Sequence, residues 1–209
     1  MENNILYILQ GLTLTLKLYI FTALLSLPLG LFLALGRVSE ITILNRGVQL
    51  YTWIFRGTPL LLQLFFVYYG LPVLGITLEP FTAALLTFVI NYSAYLCEIF
   101  RGAILSVDKC QYEAAKVFGA GYWTTMFIII IPQGLPFALP ALSNEAIALI
   151  KDTSLISAIG MAEILRNSRE LVTREFTISP FFICAAIYLI ISSVIILIFR
   201  KIEKKNLDF

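Results

Sequence analysis

Residues 176–199 read FTISPFFICAAIYLIISSVIILIF, and no charged side chain lies between Glu175 and Arg200. Similar uncharged stretches occur at 18–36, 57–78, 80–97 and 117–144. A helix needs roughly 20 apolar residues to cross the hydrocarbon core of a bilayer. Lipid-exposed backbone can be satisfied only in helices or closed barrels, and these stretches lack the strict alternation of barrel strands. The sequence therefore predicts five transmembrane helices.

The predicted architecture is an all-α, polytopic membrane protein built as a single transmembrane domain over residues 1–209. The predicted spans lie near 10–36, 48–71, 80–103, 122–149 and 178–200, with a loop at 104–121 between the third and fourth. Composition agrees, because 59% of the 209 residues are hydrophobic and only 13% are charged. A soluble chain has about 45–50% apolar and about 25% charged residues.

Charge and reactive side chains exclude several function classes. The net charge of +2 is too small to indicate a nucleic-acid partner. The chain has no histidine, and its three cysteines (Cys97, Cys110 and Cys184) are far apart. A structural zinc site, a Ser-His-Asp triad and a Cys-His pair are therefore disfavoured, and we predict no catalytic residue and no metal site.

The distribution of basic residues predicts the orientation in the membrane. The first ten residues contain Glu2 and no Lys or Arg, unlike the basic start of a secretory signal. With the N-terminus outside, the inner segments hold ten of the 15 basic residues and the outer segments hold five. Because cytoplasmic loops are enriched in Lys and Arg, we expect an external N-terminus and a cytoplasmic C-terminus.

Polar residues near the ends of the third and fourth spans are candidates for a translocation path. Glu98 and Arg101 are three residues apart and can pair on one helix face, either at the interface or facing the path. Lys151 could attract a carboxylate, and Asp152 or Glu145 an ammonium, unless this patch is only an outer interfacial loop. The full candidate set is Glu98, Asn144, Glu145, Lys151, Asp152, Thr153 and Ser154.

Two further segments have patterns that lipid burial alone does not explain. Pro132, Pro136 and Pro140 place three prolines on nearly one face of the fourth span, which predicts either a kinked packing helix or a helix broken beside a cavity. Residues 158–175 predict a short amphipathic helix on the outer surface, with Arg166 and Glu170 as an i,i+4 pair.

The loop between the third and fourth spans is also patterned. Residues 111–118 predict a short helix in which Ala114, Val117 and Phe118 share one face, and Gly119 and Gly121 end it. A loop that only connects two spans is usually shorter and less patterned. Small alanine side chains would allow another protein to approach closely.

This loop resembles a known family. Glu113-Ala114-Ala115, Gly119 and the later Ile131-Pro132 are similar to the Glu-Ala-Ala loop of ABC-type importer permease subunits. Three more segments resemble the polar amino-acid permeases in order and spacing, so that the resemblance covers roughly residues 10–200. These segments are Arg56-Gly57-Thr58-Pro59-Leu60 with Gln63, Glu98-Ile99-Phe100-Arg101-Gly102, and Lys151-Asp152-Thr153-Ser154-Leu155.

The resemblance implies a fold like that of type I ABC importer permeases and a role as the permease subunit of an ATP-driven importer of polar amino acids in a bacterial plasma membrane. The loop residues Gln111, Glu113, Ala114, Ala115 and Gly119 would then dock on a cytosolic ATP-binding subunit. No cofactor is expected on this chain, and ATP and Mg would belong to the ATPase. This agrees with the absence of a GxxxxGK[ST] phosphate loop.

The other partners implied by the resemblance are an extracytoplasmic solute-binding protein, docking near 71–80 and 159–175, and a second permease subunit, in a homodimer or a heterodimer. An alternative is an ion-coupled carrier or channel, in which Glu98, Glu145 and Asp152 would be ion or proton sites. A membrane enzyme is least favoured, because the chain lacks histidine and any clustered metal or nucleophile motif.

Overall fold

A computed structural model gives the fold of residues 2–207, with side chains described from 4 to 205, and every regular element in that range is helical. The helices are α1 (Glu2–Val38), α2 (Thr42–Gly57), α3 (Leu60–Phe65), α4 (Pro80–Leu105), α5 (Lys109–Val117), α6 (Tyr122–Thr124), α7 (Ile131–Asp152), α8 (Ile164–Glu175) and α9 (Ser179–Leu207). π-Helical turns at Phe66–Gly70 and Thr125–Ile130 follow α3 and α6, and 3-10 turns at Leu71–Leu74 and Thr153–Ile159 follow the first π-helical turn and α7.

The spans are helical as predicted, and their number agrees with the prediction when one bent helix pair counts as a span. Four segments in the described range are long and apolar enough to cross a membrane: Asn4–Val38, Pro80–Leu105, Tyr122–Ile159 and Ser179–Lys205. A fifth span is possible if α2 and the helical segment Leu60–Leu74 count as one, although they are bent by 99°. The first span begins well before residue 10, so the predicted boundary was too late.

The span predicted near 48–71 contains a break, at which the helix changes direction. α2 ends at Gly57, and Thr58 is extended, with φ −119° and ψ 145°. Pro59 causes this, since a proline disfavours the helical conformation in the residue before it and has no N–H for a helical hydrogen bond. α3 then starts in a new direction at Leu60.

The bundle is organised around α1 and α4, which share the most extensive contact. α7 packs on α4, α9 packs on α7, and α8 packs on both α1 and α9. Near α5, one core cluster joins Ala34 of α1, Cys97 of α4 and Ile130. Near α8, another joins Ile8, Ile164 and Cys184. α5 and α8 therefore lie at opposite ends of the bundle, here called the α5 end and the α8 end.

Close backbone contact fixes α8 against α1. A Cβ atom at Gly11 would lie 2.5 Å from the Ile164 nitrogen and 2.8 Å from the Glu163 carbonyl oxygen. No side chain fits at that distance, so only glycine permits this approach. Small residues allow helices to pack this closely within membranes.

The fourth span is continuous through its prolines, which favours the kinked helix over the broken one. α7 includes Pro136 and Pro140 as internal residues. The irregular geometry lies just before Pro132, where the Ile131 N–H bonds to the Met126 carbonyl in a π-helical turn. Such turns widen a helix locally and accommodate a disrupted hydrogen-bond ladder.

The short helix near the C-terminal span is confirmed, but it starts at Ile164 and not at 158. The preceding 3-10 turn ends at Gly160, which adopts a left-handed φ of 85°. Ile164 and Leu171 form the buried side of α8. The predicted Arg166–Glu170 pair is present, with 3.0 Å between nitrogen and oxygen.

Candidate functional site

A cavity of about 590 Å³ lies where the break between α2 and α3 faces α4 and α7. It combines backbone from the break with polar side chains from two long helices. Its lining consists of Arg56, Gly57, Thr58, Pro59, Leu60, Leu61, Asn91, Tyr92, Tyr95, Glu145, Ala148, Asp152 and Leu155.

The break is held open by two side-chain amides. In a continuous helix the N–H of residue 59 would bond to the Phe55 carbonyl, but Pro59 has no N–H. The Asn91 amide donates to this carbonyl at 2.9 Å, and the Gln63 amide donates to it at 3.0 Å. Asn91 also donates to Gln63 Oε1 at 3.0 Å. The freed carbonyl is therefore satisfied by partners that also fix α4 against the bend.

One side of the cavity is acidic. Glu145 and Asp152 are seven residues apart on α7, so they lie on the same helix face two turns apart, and both are half-buried. The Tyr92 hydroxyl of α4 donates a hydrogen bond of 2.7 Å to Asp152 Oδ2. Tyr92 is only 4% exposed, so this contact holds the Asp152 carboxylate in a defined position.

A cationic side chain completes the cavity. Arg56 belongs to the last turn of α2, and its guanidinium lies 5.4 Å from the centroid of the Tyr95 ring. Arg56 and Tyr95 both line the cavity. A guanidinium over an aromatic face is stabilised electrostatically. The cavity thus presents both signs of charge to a small molecule.

The structure brings together only part of the predicted path. Of the seven candidates, Glu145 and Asp152 line the cavity. Lys151 and Asn144 are exposed elsewhere, and Ser154 is half-buried. Thr153 is fully buried and donates to the Ile150 carbonyl at 2.6 Å. Consecutive helical residues point about 100° apart, so adjacency to Glu145 or Asp152 in sequence does not carry these side chains to the cavity. Their role in transport stays a prediction.

Glu98, the remaining candidate, lies beside the cavity among three arginines. Its pairing with Arg101 is as expected: Arg101 Nε and Nη2 each lie 2.8 Å from Glu98 Oε2. Arg37 of α1 and Arg56 of α2 approach the same carboxylate at 3.9 Å and 4.0 Å. Sequence reasoning did not find these two arginines, because they come from other helices.

The loop helix α5 is formed as predicted and presents most of the predicted docking residues. Asp108 caps its N-terminus by accepting from Cys110 N at 2.8 Å, and this bond lowers the pKa of the Asp108 carboxyl. Glu113 and Ala114 are exposed, whereas Ala115 is buried. Gln111 is half-buried and accepts from the Gln133 amide at 3.1 Å. α5 packs against the π-helical turn that leads into α7.

Gly119 ends this helix as expected. It has a φ of 73°, and its N–H bonds to the Lys116 carbonyl at 3.0 Å while Ala120 N bonds to Ala115 O at 2.9 Å. This is the Schellman type of helix end. Just before it, Val117 and Phe118 are 85% and 88% exposed. Two large apolar side chains therefore project from the α5 end of the bundle.

The α8 end carries an open groove of about 740 Å³. Arg166, Arg169 and Arg174 of α8 line it, with Tyr68 and Tyr69 opposite. At the N-cap of α8 lies Glu163, a fully buried carboxylate that was not predicted from the sequence.

Glu163 accepts hydrogen bonds from Leu165 N, Arg166 N and the Tyr188 hydroxyl at 2.7, 2.6 and 3.1 Å. Burial outweighs these bonds and raises the pKa of its carboxyl. The only sequence signal was a glutamate immediately before an amphipathic helix.

Known proteins share this sequence and fold. The chain is 40% identical over 197 residues to the L-cystine transport system permease protein TcyB of Bacillus subtilis, covering 93% of this chain and 84% of that one. It is 39% identical over 200 residues to the probable amino-acid ABC transporter permease protein YckA of the same organism, covering 95% and 88%.

A solved structure, described as an amino acid ABC transporter with histidines, matches with a TM-score of 0.86 and 35% identity, over 95% of this chain and 94% of that chain. These relatives disfavour the alternative of an ion-coupled carrier. Residues 26–207 match the family described as the binding-protein-dependent transport system inner membrane component. The chain belongs to this family of membrane-embedded transport permeases.

Proposed function

We propose that this chain is the permease subunit of an ATP-driven importer of amino acids, and that the cavity at the α2–α3 break is its substrate site. The observation that carries the proposal is the placement of Arg56 in the same cavity as Glu145 and Asp152. A free amino acid bears one carboxylate and one ammonium, which are the charges that this lining complements. Two relatives are named as a probable amino-acid permease and an L-cystine permease, which supports the same substrate class.

In this site the ammonium of the substrate pairs with the carboxylates of α7, and its carboxylate pairs with Arg56. The Tyr92 hydroxyl already occupies Asp152 Oδ2, so it orients the remaining oxygen for the substrate. A volume of about 590 Å³ lies within the usual range of about 300–1,000 Å³ for small-ligand sites.

ATP hydrolysis takes place on a separate cytosolic subunit, which carries ATP and Mg and docks on α5. The exposed Val117 and Phe118 supply the apolar contact, and Glu113 and Ala114 flank it. The α5 end also holds Arg37, Arg101 and the basic C-terminal part of α9. By the positive-inside rule we expect this end to face the cytoplasm and the N-terminus to lie outside.

The opposite end receives a solute-binding protein. Its docking surface is α8 with the segment 71–80, because the arginines of α8 and the exposed Val73 and Leu74 lie there. A second permease subunit, the same chain or a related one, completes the pathway across the membrane. Closure of the ATPase pair moves α5 and exposes the cavity to alternate sides.

The test is to purify the chain with its companions, reconstitute the complex in proteoliposomes, and measure ATPase stimulation by each of the twenty amino acids and L-cystine. We expect at least one to stimulate. Asp152→Asn and Glu145→Gln should reduce that stimulation while the ATPase subunit still co-purifies. Arg169→Gln is the control, because Arg169 lies on α8 outside the cavity. In assays without the binding protein, this variant should leave the stimulation unchanged. A complex that no amino acid stimulates, or whose response ignores both cavity variants, would contradict the proposal.

Orientation can be tested with the native cysteines. Cys110 is exposed in the first turn of α5, whereas Cys97 and Cys184 are buried. A membrane-impermeant maleimide should label Cys110 in inside-out vesicles and leave it unlabelled in right-side-out vesicles, with Cys110→Ser as the blank. Labelling from the outside would place α5 away from the nucleotide pool and overturn the docking scheme.

A further inference from the structure

The charge cluster around Glu98 holds more cations than its single carboxylate can satisfy. Three guanidiniums from three helices, those of Arg37, Arg56 and Arg101, converge on Glu98. Only Arg101 makes short contacts, and both go to Oε2. The four side chains carry a formal excess of two positive charges. Glu98 and Arg37 are the most shielded from solvent, with side chains 17% and 21% exposed, whereas the Arg101 and Arg56 side chains are 31% and 43% exposed.

The Nε of Arg37 in particular lacks an acceptor. Its Nη1 donates to Asn45 Oδ1, which fixes the guanidinium in place. Its Nε is buried and has no hydrogen-bond partner within the described residues, and the nearest Glu98 oxygen, Oε1, is 3.9 Å away. A buried donor without an acceptor is costly and uncommon in native proteins. The arrangement therefore favours a further anionic acceptor beside Arg37.

The cluster adjoins the cavity on the side of α5. Arg56 belongs to both, because it lines the cavity and reaches to 4.0 Å from Glu98. Along α4, Tyr95 lines the cavity, and Glu98 follows one helical turn nearer to α5. A carboxylate that leaves Arg56 in the cavity would next meet Arg37.

We propose that Arg37 and Arg56 form a second carboxylate subsite, which receives the α-carboxylate of the amino acid on its way from the cavity to the cytoplasm. The proposal rests on the proposed function. Glu98 acts as a built-in competitor, because its own carboxylate partly neutralises the guanidiniums. It keeps the affinity of the subsite low enough for release, as a site of very high affinity on the exit route would retain its substrate.

The proposal predicts opposite effects for two neighbouring substitutions. Glu98→Gln removes the competing anion, so substrate affinity should rise by about tenfold and the transport rate should fall, because release becomes slower. Arg37→Gln removes one cation of the subsite and should lower affinity by about tenfold. Arg37→Lys keeps the charge but removes the buried Nε donor, and should give a smaller loss in the same direction.

The experiment is equilibrium binding of a radiolabelled amino acid to the purified permease–ATPase complex without binding protein. The probe is the amino acid that best stimulates the ATPase in the reconstitution above, and it is compared with its α-amide, which lacks the carboxylate charge. The amide should show no gain with Glu98→Gln. Arg46→Gln, an exposed arginine of α2 without an ion pair in the described range, is the matched control.

If Glu98→Gln and Arg37→Gln both weaken binding, or if the amide gains as much as the acid, the cluster only holds three helices together and the subsite is refuted. Unchanged binding in both Arg37 variants refutes it as well. These results differ from failure of the proposed function, in which no amino acid stimulates the wild-type complex.

Discussion

The Tyr92 hydroxyl of α4 donates a 2.7 Å hydrogen bond to Asp152 of α7 and joins the two long helices at the wall of the cavity. This contact controls where one of the two cavity carboxylates points. It also links the proposed substrate site to α7, whose other end packs near α5. A change at Asp152 therefore bears on the element that would transmit motion from the proposed ATPase subunit.

Removing this bond should weaken substrate recognition without disrupting the fold. We expect Tyr92→Phe to raise the amino-acid concentration for half-maximal ATPase stimulation by about five- to tenfold, since a hydrogen bond to a charged group contributes about 1.5–3 kcal/mol and part of it is recovered from water. The measurement is a dose–response curve on proteoliposomes. Tyr19→Phe makes the same change at a half-buried tyrosine whose hydroxyl has no hydrogen-bond partner among the described residues, and it should leave the curve in place.

The amide of Asn91 should be essential to the stability of the α2–α3 break. Asn91→Ala removes one of two donors to the Phe55 carbonyl and the bond to Gln63. Leaving buried polar groups with too few partners costs about 1–3 kcal/mol, so the thermal denaturation midpoint in detergent should fall. Gln49→Ala, at an exposed position of α2, should not move the midpoint. Equal midpoints for the two variants would show that the bend does not depend on Asn91.

Gly119 and Gly121, which follow α5, allow two reasons for a glycine to be told apart: a left-handed backbone and a lack of space for a side chain. A Cβ atom at Gly119 or at Gly121 meets nothing within 4 Å, but only Gly119 has a positive φ, of 73°. A left-handed conformation costs a residue with a Cβ about 1–2 kcal/mol. Gly119→Ala should therefore reduce co-purification of the ATPase subunit, whereas Gly121→Ala should not.

Asparagine tolerates the left-handed region better than alanine, so Gly119→Asn should restore part of the loss. Glu113→Ala, which leaves the α5 backbone intact, should weaken the same association through the contact surface alone. Full recovery of the ATPase with all of these variants would remove α5 from the docking surface.

Glu163 should make stability depend on pH. Its pKa is raised above the ordinary 4.5 by burial, so the folded protein binds more protons than the unfolded chain between the two pKa values. Stability then falls as pH rises through that interval. Thermal midpoints measured from about pH 4 to 8 should show this decline in the wild type and a shallower slope in Glu163→Gln.

Glu170, on the same helix, is the contrasting case. Its pKa is lowered by hydrogen bonds from Tyr7 and Arg166, so its contribution is present above 4.5 and is lost as pH falls through its folded pKa. Glu170→Gln should therefore change the acid side of the profile and leave the decline due to Glu163 intact. A wild-type profile that rises across the interval would contradict the assignment to Glu163.

Much of the fold could be predicted because helices that cross a bilayer must be long, apolar and almost free of charged residues. The five uncharged stretches correspond to four long apolar helices and one bent helix pair. The helix end at Gly119 and the amphipathic α8 followed from local rules. The break at Thr58–Pro59 was missed since it interrupts no apolar run, and Pro59 was its only local signal. The early start of α1 was missed because polar residues such as Asn4 do not prevent a helix from extending beyond the bilayer core.

The site was less predictable, because it depends on contacts between helices. The spacing of Glu145 and Asp152 could indicate a shared helix face. Nothing in the local sequence indicates that Tyr92 meets Asp152, or that Asn91 meets the Phe55 carbonyl. Lys151 shows that neighbours in sequence need not share a cavity. Lys151 immediately precedes Asp152 in the chain. One helical step nevertheless turns its side chain away from the cavity, and it is exposed.

The contact at Gly11 has a mechanical consequence. Backbone rests on backbone there, so a load applied to α8 cannot be absorbed by side-chain rotation and passes directly into α1. α1 runs for 37 residues, including Pro28, with a contour length of about 55 Å, and its far end carries Arg37 beside Glu98. A protein that binds α8 at one end of the bundle could therefore tilt α1 and displace Arg37 relative to Glu98 near the α5 end.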